Sequence, residues 1–334
     1  MKRWLSLAAT TTLIACSLIY RPSDYFDPSG QLTVIATAGD SATKIVLTSS
    51  LVVYATSTGI YAVPKTGGDI QTLFTFGGGE LTAMASNGAD LVAWCGATTG
   101  LQAWRPGATA PVMIDSAVTS CGAIDVNGEN IGVAFVGDTT PNYVGVYLGN
   151  GASFALDEGG ATPLADQSSD GRVALTDSGI YYASGHALGR QRQPTDPNIG
   201  DPYCGLEIGG GAALDFQVAS RVDGGVLSLY RASIGYRFDG NNTCCVLTAD
   251  AGSPYACPPA APFTVDTNYL NIVIHGDYVY YLPEDQLKRA SADAPQDAST
   301  VRAGLGQVVG SLAVDDSFAY FGVGNQIQKL ALPP

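Results

Sequence analysis

One short unit recurs along this chain, and it dictates the kind of fold available. The unit is a polar turn followed by an apolar strand that ends in an aromatic residue. It reads Ser50-Leu51-Val52-Val53-Tyr54, then Asp90-Leu91-Val92-Ala93-Trp94, then Asn130-Ile131-Gly132-Val133-Ala134-Phe135. It returns as Ser178-Gly179-Ile180-Tyr181-Tyr182 and, more loosely, as Gly225-Val226-Leu227-Ser228-Leu229-Tyr230. The last two copies are the cleanest: Asp277-Tyr278-Val279-Tyr280-Tyr281 and Asp316-Ser317-Phe318-Ala319-Tyr320-Phe321. A second apolar stretch follows most copies within six or seven residues, as at Ile60, Leu101, Leu188, Leu287 and Ile327. Another precedes each, from Lys44 to Thr48, Leu81 to Ala85, Ala123 to Val126, Val173 to Thr176, Leu214 to Ala219, Leu270 to Ile274 and Val308 to Val314. The β-branched and aromatic enrichment, with Gly and Asp at the turns, makes these strands, and no segment carries a helical stripe.

Four short strands recurring about every 40 to 50 residues describe an all-β chain of the β-propeller class. A lone four-stranded sheet leaves both faces wet, so the sheets must stack face to face and close into a ring. Seven copies predict seven blades; a six-bladed ring with a decayed fifth repeat and a pair of stacked sheets are the alternatives. The chain ends at Pro334 before the seventh unit gains a fourth strand. The strand-like run 31–38 is expected to supply it and close the ring, which removes a bare sheet edge. Asp277-Tyr278-Val279-Tyr280-Tyr281 with Gln286-Leu287-Lys288-Arg289-Ala290, and the run from Gly59 to Gly68, resemble YWTD-type and TolB-like propeller blades. The resemblance lies in pattern over most of residues 31–334. No blade holds a literal Tyr-Trp-Thr-Asp, so it implies a fold and carries over no catalytic residue.

Composition agrees. Of 334 residues 46% are hydrophobic and 14% charged, which excludes a disordered, charge-solvated chain. The 41 glycines and 18 prolines follow no three-residue period, which excludes collagen. The formal net charge of −14 repels phosphate backbones and argues against a nucleic-acid partner.

The N-terminus reads as an address. Lys2 and Arg3 precede an uncharged apolar run from Trp4 to Ala15, of export-signal length. Leu13-Ile14-Ala15-Cys16 resembles the bacterial lipobox, in which the cysteine thiol is acylated and the chain is cut before it. That resemblance implies a signal peptide over 1–15, a lipid-anchored tether over 16–30 and a propeller over 31–334. It also implies membrane attachment through lipid on Cys16. Ser17, which is not Asp, implies a lipoprotein of the bacterial cell envelope sorted to the outer membrane. An ordinary secretory signal and an uncleaved anchor from Trp4 to Tyr20 are the alternatives. Setting Cys16 aside leaves Cys95, Cys121, Cys204, Cys244, Cys245 and Cys257, an even set that predicts three disulfides in an exported chain. Propeller geometry places Cys95 at the end of a second strand and Cys121 in the connection to the next blade, on one face, which predicts a Cys95–Cys121 bond. Pairing among the other four stays open.

Linear motifs for catalysis are missing: no G-x-S-x-G, H-E-x-x-H or phosphate-binding glycine loop occurs. Ser41-Ala42-Thr43-Lys44 fits S-x-x-K by letters, but Lys44 opens a strand, where the two side chains do not lie one helical turn apart. Gly304-Leu305-Gly306 precedes a strand with the wrong spacing for a dinucleotide loop. His186 and His275 sit at strand boundaries and read as structural or solvent-facing. Asp125-Val126-Asn127-Gly128-Glu129 and Asp239-Gly240-Asn241-Asn242 read as turns, since a calcium loop needs more carboxylates. No catalytic residue, metal ligand or cofactor is assigned. The expectation is a non-catalytic binding or scaffold propeller whose long insertions, 192–201 and 248–267, meet a protein, peptide or glycan partner. The alternative is an enzyme with its site at the mouth of the central channel, of polysaccharide-lyase or quinone-dependent dehydrogenase type. A mainly structural surface protein is a third reading.

Overall fold

The computed structural model describes residues 30, 32–78, 81–118, 121–135, 143–151 and 153–156, strand backbones between 162 and 246, and 272–333 apart from 284, 292–297 and 307. Among these residues the regular structure is all strand, in seven antiparallel sheets. The first complete sheet holds β2 (Lys44–Leu47), β3 (Leu51–Ala55), β4 (Gly59–Pro64) and β5 (Gln71–Thr75), in chain order. It is followed by β6 (Leu81–Ser86), β7 (Val92–Gly96), β8 (Gly100–Trp104) and β9 (Val112–Asp115). The third sheet comprises β10 (Cys121–Asn127), β11 (Asn130–Phe135), β12 (Tyr143–Asn150) and β13 (Ser153–Leu156), with β14 (Thr162–Pro163) pairing β12. Three strands form the fourth: β15 (Arg172–Thr176), β16 (Gly179–Ser184) and β17 (Ala187–Arg192). Next come β18 (Phe216–Ser220), β19 (Val226–Tyr230), β20 (Gly235–Phe238) and β21 (Cys244–Val246). The sixth holds β22 (Ile272–His275), β23 (Tyr278–Tyr281), β24 (Leu287–Ser291) and β25 (Ser299–Arg302). The seventh holds β26 (Val308–Val314), β27 (Phe318–Val323) and β28 (Gln326–Ala331).

The seventh sheet is completed by the other end of the chain. β1 (Leu32–Thr37) pairs antiparallel with β28, from Leu32 opposite Leu330 to Thr37 opposite Gln326. β1 thus serves as the outer strand of the seventh sheet. The first strands of successive sheets lie side by side, β2 to β6 to β10 to β15 to β18 to β22 to β26, and β26 returns to β2. That closed circuit of inner strands makes the molecule a propeller.

Each core belongs to a pair of sheets. Val52 and Tyr54 of β3 pack with Ile35, Ile327 and Tyr320 of the seventh sheet. Val53 and Ala55, the alternate residues of the same strand, pack with Val92 and Trp94 of the second. β7 repeats the division: Val92 and Trp94 face the first sheet, Ala93 and Cys95 join Ile131 and Val133 of the third. Period-2 side-chain alternation therefore sorts one strand between two interfaces. Both faces are buried, so the second strands read as nearly unbroken apolar runs. Trp94, Tyr54 and Phe321, the aromatic residues that end the recurring unit, are fully buried.

Candidate functional site

Each inner strand ends its sheet and so turns one unpaired edge toward the middle of the ring. Buried edge N–H and C=O groups need partners. The chain supplies them with short polar side chains from neighbouring inner strands. The Ser311 hydroxyl of β26 accepts from the Ile45 N–H of β2 and donates to the Ile45 carbonyl at 3.3 Å. Ser86 of β6 donates to the Leu47 carbonyl of β2 at 2.5 Å. Thr82 of β6 donates to the Cys95 carbonyl at 3.0 Å and accepts from the Cys121 N–H of β10 at 3.3 Å. Asp125 of β10 accepts from the Leu175 N–H of β15 through Oδ2 at 2.7 Å, and from its neighbour Val126 through Oδ1 at 2.9 Å. These contacts lace β26, β2, β6, β10 and β15 in unbroken succession.

Inside the lacing lies a cavity of about 430 Å³, lined by residues of β2, β6, β10, β22 and β26. That volume suits a small molecule. Apolar side chains such as Val46, Met84, Val273 and Leu312 share its wall with Lys44, Thr82, Ser86, Asp125 and Ser311. Asp125 is the carboxylate among them. It sits deep in the ring but keeps some surface open to the cavity. Burial pushes its pKa up to about 6, against the two backbone N–H groups, which favour the charged form. The sequence reading placed Asp125 in a turn. In the structure β10 runs on to Asn127, and the turn itself holds Gly128 and Glu129.

Level within the ring follows from register. Leu47, Ser86, Val126 and Leu175 stand opposite Val52, Val92, Ile131 and Ile180, at one level of their respective sheets, and Asp125 lies one residue further from the turn. Just beyond that height the inner strands turn, and acidic residues gather. Arg105 binds Asp90 at 3.0 Å and, in the turn of the next sheet, Glu129 at 2.5 Å. Lys65 spans the closing interface to Asp315 at 2.9 Å. Asp315 is partly buried, which alone raises its pKa, but the Lys65 ammonium and the N–H groups of Ser317 and Phe318 hold it below the usual carboxylate value. His275 ends β22 and meets Asp316 of the next sheet at 2.8 Å through Nε2.

The opposite end carries the disulfide. Cys95 and Cys121 are bonded, with Cα atoms 5.9 Å apart. Cys121 is the first residue of β10, where the sequence reading had put it in the preceding connection. The bond therefore staples the second strand of one sheet to the inner strand of the next. Cys244 and Cys245 have strand backbone in β21. Cys16, Cys204, Cys257, His186, the run 239–242 and the insertions 193–201 and 248–267 lie outside the described residues. Arg192 closes β17. Among the described residues, no group of three or more His, Cys, Asp or Glu is placed to hold a metal ion.

No protein-family model matches the sequence, and no curated protein matches it. Solved structures do. The β-propeller domain of Cps50 (Swd1) from Myceliophteria thermophila superposes with a TM-score of 0.61 at 10% identity, covering 90% of this chain and 100% of that one. The WD40 β-propeller domain of Doa1 gives 0.59 at 12% identity, covering 90% and 97%. The computationally designed Ika8 protein gives 0.54 at 11% identity, covering 91% and 100%. At such identities the likeness is one of fold.

Proposed function

We propose that this chain is a binding or scaffold propeller, tethered to a bacterial envelope through lipid on Cys16, which presents its surface to a protein, peptide or glycan partner. The observation that carries the reading is a set of exposed apolar side chains on the outer strands of two neighbouring sheets. Val112 and Met113 of β9 are 41% and 51% exposed, and Leu156 of the adjoining β13 is 36% exposed. Ile114 and Phe154, from the same two strands, reach down into the shared core. Apolar side chains on consecutive outer strands over a rigid base suit a docking surface. The enzyme alternative draws on Asp125, whose displaced pKa in a cavity is the kind of feature a catalytic site shows.

The test is crosslinking in intact cells followed by mass spectrometry. It compares the native chain, a chain lacking 192–201 and 248–267, and the variant Val112→Asp/Met113→Asp. The reading expects a crosslinked partner that at least one altered chain loses. Retention of every partner by both would overturn it.

A further inference from the structure

The geometry points to the central cavity as a binding site for a small aliphatic primary ammonium ion, held by the Asp125 carboxylate. This goes beyond the partner-binding reading and does not depend on it. A buried carboxylate is costly unless a cation or several hydrogen bonds compensate it. Among the described residues, the Asp125 carboxylate is held by two backbone N–H donors, those of Leu175 and Val126. Each carboxylate oxygen uses one lone pair on those donors and keeps another acceptor position. Asp125 lines the cavity, so an ammonium group there gains a charge-assisted hydrogen bond.

The rest of the wall fixes the ligand class further. The Ser86 hydroxyl stands on the neighbouring inner strand one residue nearer the turn than Asp125, where it donates to the Leu47 carbonyl. Val46, Met84 and Val273, all partly exposed, offer an apolar bed for a short alkyl chain. Lys44, the cation of the wall among the described residues, opens β2 at the end of that strand away from its turn. Its charge disfavours an ammonium group at that end and leaves the Asp125 end as the preferred pole. Glu129, Asp90 and Asp316 crown the turns nearest that pole, within a chain of formal net charge −14. A field of that sign draws small cations toward the opening.

The experiment is isothermal titration calorimetry of the full, oxidised chain with n-butylammonium, n-butanol and n-butyrate at pH 7.5 and pH 5.0. The site predicts that n-butylammonium binds at least about tenfold more tightly than either of the other two at pH 7.5. Its affinity should fall by about tenfold at pH 5.0, as Asp125 takes up a proton. Asp125→Asn should abolish the preference for the cation while n-butanol binding stays unchanged. Equal affinity for butylammonium and butanol, or a preference retained in Asp125→Asn, would overturn the assignment. Should that variant fail to fold, the native charge series at two pH values still decides. Partner crosslinks retained in Asp125→Asn would separate this site from the docking surface.

Discussion

The Asp125 carboxylate of β10 accepts the Leu175 N–H of β15 at 2.7 Å, joining the inner strands of two neighbouring sheets through a group that titrates. Burial raises the Asp125 pKa to about 6 from an ordinary 3.8. The folded state therefore holds the proton more tightly than the unfolded state does. Its contribution to stability is present below about pH 4 and is lost as pH rises through 6. A shift of this size corresponds to about 3 kcal/mol across the window. Asp125→Asn removes this titration. Urea denaturation at pH 4.0 and 7.5 should show the variant gaining on the native chain by about 2–3 kcal/mol toward the higher pH.

The Lys65–Asp315 pair behaves with the opposite sign. It spans the interface between the first and seventh sheets, with side chains 19% and 26% exposed. Asp315 has a lowered pKa, so its stabilisation is present above about pH 4 and fades as pH falls through the folded value. Lys65→Met should cost about 1–2 kcal/mol at pH 7, since screening by solvent tempers a half-buried pair. The penalty should shrink below pH 3.5, measured by the same denaturation series.

The Cys95–Cys121 bond closes a sequence separation of 26 residues. Loop-closure entropy alone assigns such a link roughly 3–4 kcal/mol. Cys95→Ala/Cys121→Ala should lose about that much in chemical denaturation under oxidising conditions. In the presence of a reductant strong enough to open the bond, the gap between native and variant chains should narrow.

Gly100 opens β8 with φ of +64°, and a Cβ there would lie 2.7 Å from the Asp115 carbonyl. Both the left-handed backbone and the close approach require glycine. Gly100→Ala should destabilise the chain by about 2 kcal/mol or more, read as a lowered Tm. Gly88→Ala makes a useful comparison: it shares a positive φ of +75° but meets nothing within 4 Å, so its loss should be smaller.

Ring closure is legible in the sequence because the chemistry is local: a unit one strand short at Phe318–Ala331, and an unclaimed strand-like run at 31–38. The division of β3 between two cores is less legible. Val52, Val53, Tyr54 and Ala55 are all apolar, and their assignment to different interfaces depends on sheets stacked on both sides. Cys121 and Asp125 escape for a related reason. β10 carries a bulge between Cys121 and Ala123, matched by one between Leu81 and Ala83 in β6. A bulge breaks the two-residue period, so the strand's first residues look like connection. Asp125 then falls among Asn127, Gly128 and Glu129, which have turn composition. Only its register opposite Gly132 places it in the inner strand. Position in the repeat gives no signal either: Val126 holds the place of Leu47 and Ser86, so Asp125 falls one residue out of step.

β1 and β28 seal the ring, with Thr33 opposite Lys329. Thr33→Cys/Lys329→Cys puts two thiols on paired strands at a spacing a disulfide spans. Peptide mapping by mass spectrometry after mild oxidation tests it. The closed ring predicts one intramolecular link between residues 33 and 329 in a monomer, with a raised Tm. Only intermolecular links, or free thiols at both positions in folded protein, would contradict it.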